Sequence, residues 1–350
     1  MQKEGVVHPI ASQQEYDAID RKLLSALSVN VRFTPSFLGK LVHLSKDGIR
    51  YRIKKFFESH TILGTAVIVN PFAIGFNFYT ATFELKDISA EQEQSIMIQL
   101  AMHPNTIWVG RCLGEWNLIV FYIAHEKKEN DVFQSISSSL SEYVNKQELA
   151  KITALHHYHN LPTWFLEENG MNAITIVRKD SSFQKLMQRP SVSNGIVSID
   201  ELDLSILCAF GKSCTQSIAD ISRQLKKPFN TIKTRIQSLI RERVILAFNP
   251  LINLALLRQN AFSVFIYVDN GEQLDEIRAF LKAHSNTGYL FETEKPWQFE
   301  WYAAVRNNAE FYQSVEELRS KFPAIKNIVP LFIIKDYKFT FTPEIICKKN

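Results

Sequence analysis

The chain repeats its own sequence, and this repeat limits its fold more than any other feature. The pattern that begins at Asp20 returns at Asp203, and the register holds without a gap as far as Leu63. In this register the aligned pairs include Leu24 with Leu207, Leu38 with Ile221, Ile49 with Ile232, Arg52 with Arg235, Ile53 with Ile236, and Ile62-Leu63 with Ile245-Leu246. A slightly shorter displacement aligns His103, Asn105, Thr106 and Trp116 with His284, Asn286, Thr287 and Trp297. Self-similarity over this length predicts two tandem copies of one unit.

Length and composition indicate a globular chain of several domains. The 350 residues are 46% hydrophobic, which is enough apolar material for more than one core. The longest strongly apolar run, residues 118–124, is far shorter than the ~20 residues of a membrane-spanning helix. Residues 1–10 lack the apolar segment of a signal peptide. We therefore expect a cytoplasmic protein with no membrane partner.

The four cysteines, Cys112, Cys208, Cys214 and Cys347, show no C-x-x-C pair and no spacing typical of metal ligands. This pattern favours reduced thiols over a disulfide framework. We expect neither a metal nor a bound cofactor.

Residues 44–59 are predicted to form a capped, basic, amphipathic helix. Ser45 is placed to cap the helix, and Ile49, Ile53 and Phe56 recur at helical spacing as a buried stripe. Six Lys/Arg against two acidic residues lie between positions 40 and 60, in a chain whose net charge is +4. A short helix over 35–42, opened by Thr34 and Pro35, precedes it through a tight link. Two helices joined in this way, the second one basic, are typical of a helix-turn-helix.

The second copy keeps the charge of this helix but changes its start. Seven Lys/Arg against Glu242 alone lie between positions 223 and 243, while Pro228 stands where the first copy has Ser45. Arg52 and Arg235 share one register, and each is expected to contact DNA or to form an ion pair on the helix surface. The predicted DNA-binding residues are Ser45, Lys46, Arg50, Arg52, Lys54 and Lys55 in the first copy, and Lys226, Lys227, Asn230, Lys233 and Arg235 in the second.

The remaining elements predict an α+β fold class. A helix over 16–28 precedes the helix-turn-helix, and an extended segment follows it as a wing. Strands over 76–85, 106–112, 117–124 and 148–158 alternate with helices over 90–102, where Ser89 and Gln92 suit a capping box, and over 126–143. This β-α-β-β-α-β order is that of a ferredoxin-like sandwich. The predicted boundaries are 16–70 and 199–252 for the two winged helix-turn-helix domains, 71–160 and 253–340 for the ferredoxin-like domains, and 161–198 for a linker with one strand at 173–177.

These motifs resemble the Lrp/AsnC, or feast/famine, family of transcription regulators, and tandem copies resemble the archaeal forms. The first copy carries Asp20-Arg-Lys-Leu-Leu, Leu44-Ser-Lys with Arg52-Ile53, Ile62-Leu63-Gly64, and Gly114-Glu-Trp-Asn117. The second carries Asp203-Leu-Ser-Ile-Leu, Thr231-Ile-Lys-Thr-Arg235-Ile236, and Lys321-Phe-Pro-Ala. The resemblance implies a winged helix-turn-helix followed by a ferredoxin-like (RAM-like) effector and oligomerisation domain.

The turn that binds effectors in this family departs from the family pattern here. The resemblance implies a Gly-x-aromatic-Asp turn for a small molecule such as an amino acid, and it makes Gly114, Trp116 and Asn117 the candidate effector-binding residues. Asn117 replaces the Asp, and the second copy has Lys295-Pro-Trp-Gln298 at the equivalent positions. The two tryptophans, Trp116 and Trp297, suit core packing more than stacking on a ligand.

An enzymatic alternative comes from the cluster His156-His157-Tyr158-His159. Alternating histidines on one strand face can hold a metal or transfer a proton, and Arg111 is a candidate to pair with substrate carboxylates beside them. Siroheme decarboxylases have a similar overall architecture. The second copy lacks the cluster, however, and both copies keep basic helices that a decarboxylase does not need. We therefore predict no catalytic residues and no enzymatic activity.

The sequence thus predicts a regulator that binds double-stranded DNA with two basic recognition helices in major grooves. The wings and neighbouring Lys/Arg are expected to hold phosphates. The two ferredoxin-like domains are expected either to pack on each other within one chain, as a pseudo-dimer that reads two unlike half-sites, or to pair between two chains as a homodimer.

Overall fold

The computed structural model describes residues 6–7, 15–158, 160–171, 195–269 and 271–347. A short strand, β1, and three helices come first in the chain, followed by a strand. Their bounds are β1 (Val6–Val7), α1 (Ala18–Val29), α2 (Pro35–Val42), α3 (Lys46–Glu58) and β2 (Ile62–Val69). The next elements follow in β-α-β-β-α-β order: β3 (Phe76–Leu85), α4 (Ala90–Met102), β4 (Thr106–Leu113), β5 (Leu118–His125), α5 (Glu129–Ser138) and β6 (Val144–Tyr158).

After a short helix, α6 (Thr163–Glu168), the same order of elements returns. Three helices and a strand are α7 (Glu201–Lys212), α8 (Ile218–Leu225), α9 (Phe229–Arg241) and β7 (Ile245–Ile252). They are followed by β8 (Asn260–Val268), α10 (Leu274–Ala283), β9 (Thr287–Thr293), β10 (Phe299–Val305), α11 (Asn308–Lys321), β11 (Ile325–Phe339) and α12 (Glu344–Cys347). The first three helices and the following strand of each half begin and end at equivalent positions of the sequence repeat.

The helix starts follow from local capping chemistry. The predicted helix over 35–42 is confirmed, with the Thr34 side chain accepting a hydrogen bond from the Phe37 amide. Ser45 caps α3 as predicted, through the Gly48 amide at 3.1 Å. The capping box of Ser89 and Gln92 at the start of α4 is also confirmed. Pro228 opens α9 without a side-chain cap.

Eight strands close into a barrel in the order β11-β4-β5-β3-β6-β9-β10-β8, and β8 pairs again with β11. Each half contributes one four-stranded sheet whose strands have the ferredoxin-like order. The two sheets join at two antiparallel seams, β6 with β9 and β11 with β4. These seams exchange the same two strand positions between the halves, so a pseudo-two-fold axis relates them. The two ferredoxin-like units therefore pair within one chain.

Three hydrophobic cores hold this arrangement. Residues such as Met97 and Ile136 pack α4 and α5 on the outer face of the first sheet. Residues such as Ile277 and Leu318 do the same for α10 and α11 on the second sheet. The third core is the largest and continues from the helix-turn-helix helices into the barrel interior. It makes the helix-turn-helix modules and the barrel one packed body.

The two strands that follow the basic helices pair with each other. β2 and β7 form a two-stranded antiparallel sheet in which Ile62 lies opposite Ile252. Residues 66–69 and 245–250 are buried. We expected these segments to be wings that hold phosphates, and this expectation was wrong: each strand buries its apolar side chains against the other half. Arg32 reinforces the contact by donating to the Gln216 carbonyl at 2.8 Å.

A disulfide contradicts the prediction of four reduced cysteines. Cys208 on α7 and Cys347 on α12 are bonded, with their Cα atoms 5.7 Å apart. They are 139 residues apart in sequence, so no spacing rule links them, and only the packing of the C-terminal helix against α7 brings them together. Cys112 and Cys214 are free thiols and are buried, in agreement with the prediction.

Two further predictions differ in extent or cannot be compared. The helix expected over 126–143 is shorter, because residues 139–143 form turns before β6 begins. The linker strand expected at 173–177 lies outside the described residues. Among the described helices, none combines the length and the apolarity needed to cross a membrane.

Candidate nucleic-acid interface

Helix α3 presents a basic surface to solvent. Ile49 and Phe56 are buried against the helix-turn-helix core, which turns the opposite face outward. On that face Arg50 pairs with Asp47 at 2.9 Å and Lys54 with Glu58 at 3.5 Å, and these pairs are well exposed. Exposed pairs of this kind contribute little to stability, so both cations remain available to a stronger partner.

Two lysines of α3 have no such partner. Lys46 and Lys55 are exposed and form no ion pair with any described residue. The exposed Tyr51 stands on the same helix, with 69% of its surface accessible. An exposed row of cations beside an aromatic ring is suited to a polyanion.

Helix α9 presents a second basic surface. Ile232, Ile236 and Leu239 face the core, and the predicted contact residues Lys226, Lys227, Asn230 and Lys233 are all exposed. None of these three lysines forms an ion pair within the described part of the chain. The second module therefore has a patch of free positive charge comparable with that of the first.

Arg52 points away from this surface. Its guanidinium lies 2.8 Å from Asp17 and 2.6 Å from Asp20, the two carboxylates of the capping box that starts α1. Partial burial lowers the pKa of Arg52, but the hydrogen bonds to these carboxylates raise it above its ordinary value. Arg52 thus ties the recognition helix to the first helix of its module.

Arg235 does the same in the second module. It lies 2.8 Å from Asp200 and 3.0 Å from Asp203, the capping box of α7. We expected both arginines to stand on exposed faces, and the geometry corrects this because 22% of the Arg52 side chain and 39% of the Arg235 side chain are accessible. The sequence had left the ion pair open as the alternative, and the structure selects it.

The paired strands β2 and β7 set the spacing of the two recognition helices. Each strand starts just after its helix, and antiparallel pairing places the two starts at opposite ends of an eight-residue sheet. At about 3.3 Å per residue, these starts are about 23 Å apart.

Gly48 and Ser45 shape the start of α3 in the first module. Gly48 lies against the preceding turn, since a Cβ atom there would stand 2.8 Å from the Leu44 side chain. Gly48 therefore allows close packing within the module. Ser45 uses its hydroxyl oxygen for the cap, which leaves its O–H to donate elsewhere.

The three candidate effector residues serve packing in this structure. Trp116 is fully buried, as the core interpretation predicted. Gly114 lies beside β11, where a Cβ atom would stand 2.6 Å from Leu331 of the other half. The Asn117 amide accepts from the Leu85 amide at 2.8 Å and donates to the Leu85 carbonyl at 3.1 Å. Their role in effector binding remains a prediction.

The second half repeats this arrangement with a longer side chain. Gln298 accepts from the Val268 amide at 2.6 Å, at the end of the equivalent strand. Trp297 is also fully buried and stacks on Phe265 with ring centroids 4.3 Å apart. In both halves the amide therefore clamps the end of the first strand of the sheet.

Two residues of the enzymatic alternative, Arg111 and His156, are described, and each pairs with a carboxylate of the protein. Arg111 pairs with Glu93 at 3.1 Å, and its strand β4 is separated from β6 by β5 and β3. His156 is buried and lies 2.8 Å from Glu292. The side chains of His157 and His159 lie outside the described residues. The described part of the chain contains no group of three potential metal ligands.

Comparison with known proteins identifies the first module. The family model of the AsnC-type helix-turn-helix domain matches residues 17–56, which run from the first capping residue of α1 to the buried end of α3. The first module of this chain is therefore similar to the helix-turn-helix domain of the Lrp/AsnC regulators. HTH-type transcriptional regulator FL11 of Pyrococcus furiosus is 25% identical over 124 residues, which are 35% of this chain and 81% of that protein. HTH-type transcriptional regulator LrpA of Bacillus subtilis is 36% identical over 63 residues, 18% of this chain and 46% of that protein.

A solved structure resembles the whole chain. The siroheme decarboxylase NirDL, crystallised with an iron-uroporphyrin III analogue, aligns with a TM-score of 0.55 over 93% of this chain and 93% of that chain. The sequences are 12% identical, so the likeness extends to the fold alone. The fold of this chain therefore occurs in a protein named as an enzyme, and the side chains must decide the function.

Proposed function

We propose that this Lrp/AsnC relative is a sequence-specific DNA-binding transcription regulator made of two tandem units, each a helix-turn-helix followed by a ferredoxin-like domain. The observation that carries the proposal is the free charge on both basic helices. Lys46 and Lys55 on one helix, and Lys226, Lys227 and Lys233 at the other, have no acidic partner among the described residues. Two exposed patches of unpaired lysines are suited to a polyanionic ligand. Double-stranded DNA is the proposed partner, and the cytoplasm the proposed compartment.

The exposed residues divide into two roles under this proposal. The free lysines neutralise phosphates and fix the register. Arg50 on α3 and Asn230 on α9 are the proposed base-reading residues, because arginine and asparagine match guanine and adenine edges in the major groove. Arg52 and Arg235 support reading indirectly, since their ion pairs fix the angle of each recognition helix.

The pairing of both halves within one chain supports a pseudo-dimer that binds as a single chain. In this pseudo-dimer the two basic helices enter successive major grooves, about 34 Å apart. The helices differ in sequence, Arg50-Tyr51-Arg52 against Lys233-Thr234-Arg235, so the two half-sites should differ. Footprinting of DNA fragments selected from a genomic pool, with light scattering of the complex, tests this. A palindromic site bound only by a two-chain species would contradict the pseudo-dimer.

The charge assignment has its own test. Lys46→Ala with Lys55→Ala, and separately Lys226→Ala with Lys233→Ala, should each reduce the slope of log affinity against log salt by about 1.8, because each phosphate contact contributes about 0.9. Lys86→Ala with Lys128→Ala, in the first ferredoxin-like unit, removes the same charge and should leave the slope unchanged. Equal loss of binding in all three variants would assign the effect to net charge alone.

The fold shared with NirDL raises a second candidate, a decarboxylase acting on siroheme. The ion pair of Arg111 with Glu93 disfavours this function. A substrate carboxylate would need the Arg111 guanidinium, which is already paired with the Glu93 carboxylate. Anaerobic incubation with siroheme should give no decarboxylated product. Turnover that disappears in His157→Ala would instead establish the enzyme.

A further inference from the structure

A cavity of about 270 Å³ lies where the barrel meets the paired strands β2 and β7. Its wall includes the aromatic side chains of Trp108, Phe121 and Phe291 from the barrel strands. Leu63 and Leu251, from the two paired strands, form another part of the wall. The cavity is thus lined by both halves and by both kinds of domain.

Glu300 is the exceptional residue in this wall. It lies on β10 between apolar neighbours, and 1% of its surface is accessible. Ser263 donates to one carboxyl oxygen, Oε1, at 3.0 Å. The other oxygen, Oε2, has no hydrogen-bond partner among the described residues, although the Thr80 hydroxyl is near enough to lower the pKa of the carboxyl. A buried carboxyl oxygen left without a partner costs stability, so its presence calls for a ligand that supplies a donor.

The other polar groups of the wall are largely engaged with the protein. Trp108 donates its indole N–H to Asp336 at 2.7 Å, and Tyr289 donates its hydroxyl to Asn160 at 2.5 Å. The Lys338 ammonium donates to the His103 carbonyl at 3.0 Å and to Thr106 at 2.9 Å. The Glu300 carboxyl is therefore left to meet a ligand among aromatic rings, beside the Tyr302 hydroxyl and the Asp336 carboxylate that also line the cavity.

We propose that this cavity binds a small organic amine, whose ammonium group meets Glu300 and whose apolar body packs against the aromatic wall. The volume sets the size of the ligand. A protein cavity of about 150 Å³ holds benzene, and pockets for drug-sized ligands begin at about 300 Å³. A ligand with one or two rings therefore fits the cavity of about 270 Å³. An α-amino acid is disfavoured, since its carboxylate would face Asp336 while Lys338 is already hydrogen-bonded.

The protonation of Glu300 gives this binding a signature. Burial raises the pKa of Glu300 to about 8, so in the empty cavity the carboxyl is mainly neutral at pH 7. An ammonium ion favours the ionised form, and binding near pH 7 therefore releases a proton. Affinity should rise about tenfold for each pH unit up to about pH 8 and then level off.

Other titratable groups lie in or near the barrel interior on β4, β9, β10 and β11. Burial raises the pKa of the Cys112 thiol and of the Tyr289 and Tyr302 hydroxyls, so all three stay neutral in this range. Burial lowers the pKa of Lys338 to about 8, and its loss of charge would also favour an amine as the pH rises. Asp336 is a further acidic group in the wall. Substitutions at Glu300 and at Lys338 must therefore distinguish the contributions of these two groups to the pH dependence of binding.

The position of the cavity links the ligand to DNA binding, and this consequence rests on the function proposed above. Leu63 lies just after the end of α3, and Leu251 lies on the paired strand of the other module. A ligand that fills the space between these side chains and the barrel fixes the joint on which both recognition helices stand.

Calorimetry of the DNA-free protein with three probes tests the site. The affinity for tryptamine should rise about tenfold for each pH unit between pH 6 and pH 8. The affinity for 3-ethylindole, which has no amine, should not depend on pH. Tryptophan should bind at least about tenfold more weakly than tryptamine. Glu300→Gln should reduce the affinity for tryptamine at least about tenfold and abolish its pH dependence. The affinity for 3-ethylindole should be unchanged in this variant, and that result would also show that the cavity is intact. Lys338→Gln should keep the pH dependence.

Failure of tryptamine to bind, or binding that is the same in Glu300→Gln, would overturn the proposal. Tighter binding of tryptophan than of tryptamine would also overturn it, because that would assign an amino-acid site. Since none of these measurements uses DNA, the amine site and the DNA-binding function can fail independently. A change in DNA affinity on adding tryptamine, lost in Glu300→Gln, tests the link between them.

Discussion

The two halves of this chain have the same backbone plan but use different chemistry to hold it. The helices of the two DNA-binding modules begin and end at equivalent positions of the repeat, whereas their stabilising contacts are not interchangeable. Ser45 caps one recognition helix, and Pro228 starts the other without a cap. Cys208 forms a disulfide, and the equivalent position of the first half is Ser25. One backbone can thus tolerate independent changes at corresponding sites.

The two barrel seams also differ in their stabilising contacts: one has an acidic residue where the other has a basic one. At the first seam Glu292 accepts from His156 at 2.8 Å and from Arg278 at 2.7 Å. At the second seam the equivalent position of the repeat is Arg111, which pairs with Glu93 at 3.1 Å. An acid at one seam and a base at the other occupy equivalent places, so each seam recruits its own counter-charge. The pseudo-symmetry concerns the backbone and the apolar contacts, not the ion pairs.

The largest difference between the halves should come from the disulfide. Cys208→Ser should lower the free energy of unfolding by about 2–4 kcal/mol, because the bond restricts the unfolded chain over a long loop. Ser25→Ala, at the equivalent position of the first half, removes one hydrogen bond to the Arg21 carbonyl and should cost about 1 kcal/mol. Denaturant unfolding with and without reductant measures both. Reductant should destabilise the wild type and leave Cys208→Ser unchanged; a wild type indifferent to reductant would contradict this prediction.

The next prediction compares Arg52 and Arg235, which tie the basic helix of each module to the first helix of that module. Arg52→Ala should destabilise the protein more than Arg235→Ala, by about 1–2 kcal/mol in the first case, because each arginine covers a buried carboxylate and Arg52 is the less exposed of the two arginines. Thermal unfolding of the two variants measures the order. Arg50→Ala, on the exposed face of the same helix, is the matched control and should have little effect on stability. A reversed order would show that exposure does not govern the effect of these two arginines.

A smaller effect, confined to acid, should come from the first seam. Burial raises the pKa of Glu292, but the hydrogen bonds from His156 and Arg278 outweigh burial and lower it to about 2. A carboxyl whose folded pKa is depressed contributes stability above its unfolded pKa of about 4.3, and this contribution is lost as the pH falls toward 2. Glu292→Gln should therefore flatten the acid branch of the stability curve between about pH 5 and pH 2.

The matched control for that prediction is Glu93→Gln at the second seam. This variant leaves Glu292 intact and should retain the acid dependence of the wild type. Acid titrations monitored by circular dichroism compare the three proteins. Equal acid dependence in wild type and Glu292→Gln would show that the seam does not depend on this carboxylate.

The smallest difference should lie in the helix caps. Ser45→Ala removes the oxygen that accepts from the Gly48 amide and should cost about 1 kcal/mol. Pro228→Ser supplies the missing cap in the other module and should raise stability by no more than that amount. Denaturation of both single variants and of the double variant measures the pair. Additive effects are expected because the two caps have no residues in common.

Local chemistry accounts for most of what the sequence could predict. The helix over 35–42 and the caps at Ser45 and Ser89 depend on neighbouring residues, and each was placed correctly. The buried Trp116 and Trp297 also agreed with their prediction as core residues. The strands of the first half follow from runs of β-branched and aromatic residues: β3, β4 and β5 were located to within one residue, and β6 begins four residues earlier than predicted.

The sequence by itself determined the helices, the caps, the strands and the order in which they recur, because these follow from residues close together along the chain. Only the tertiary structure decided what meets across the halves: that β2 pairs with β7, that Cys208 bonds Cys347, and that Arg52 turns to the acids of α1. Glu300 appears in the sequence as one charge within an apolar strand, and the closing of the barrel alone makes it the wall of a cavity. These contacts join residues far apart in sequence, and which of them form depends on how two whole units pack, a property that no local pattern contains.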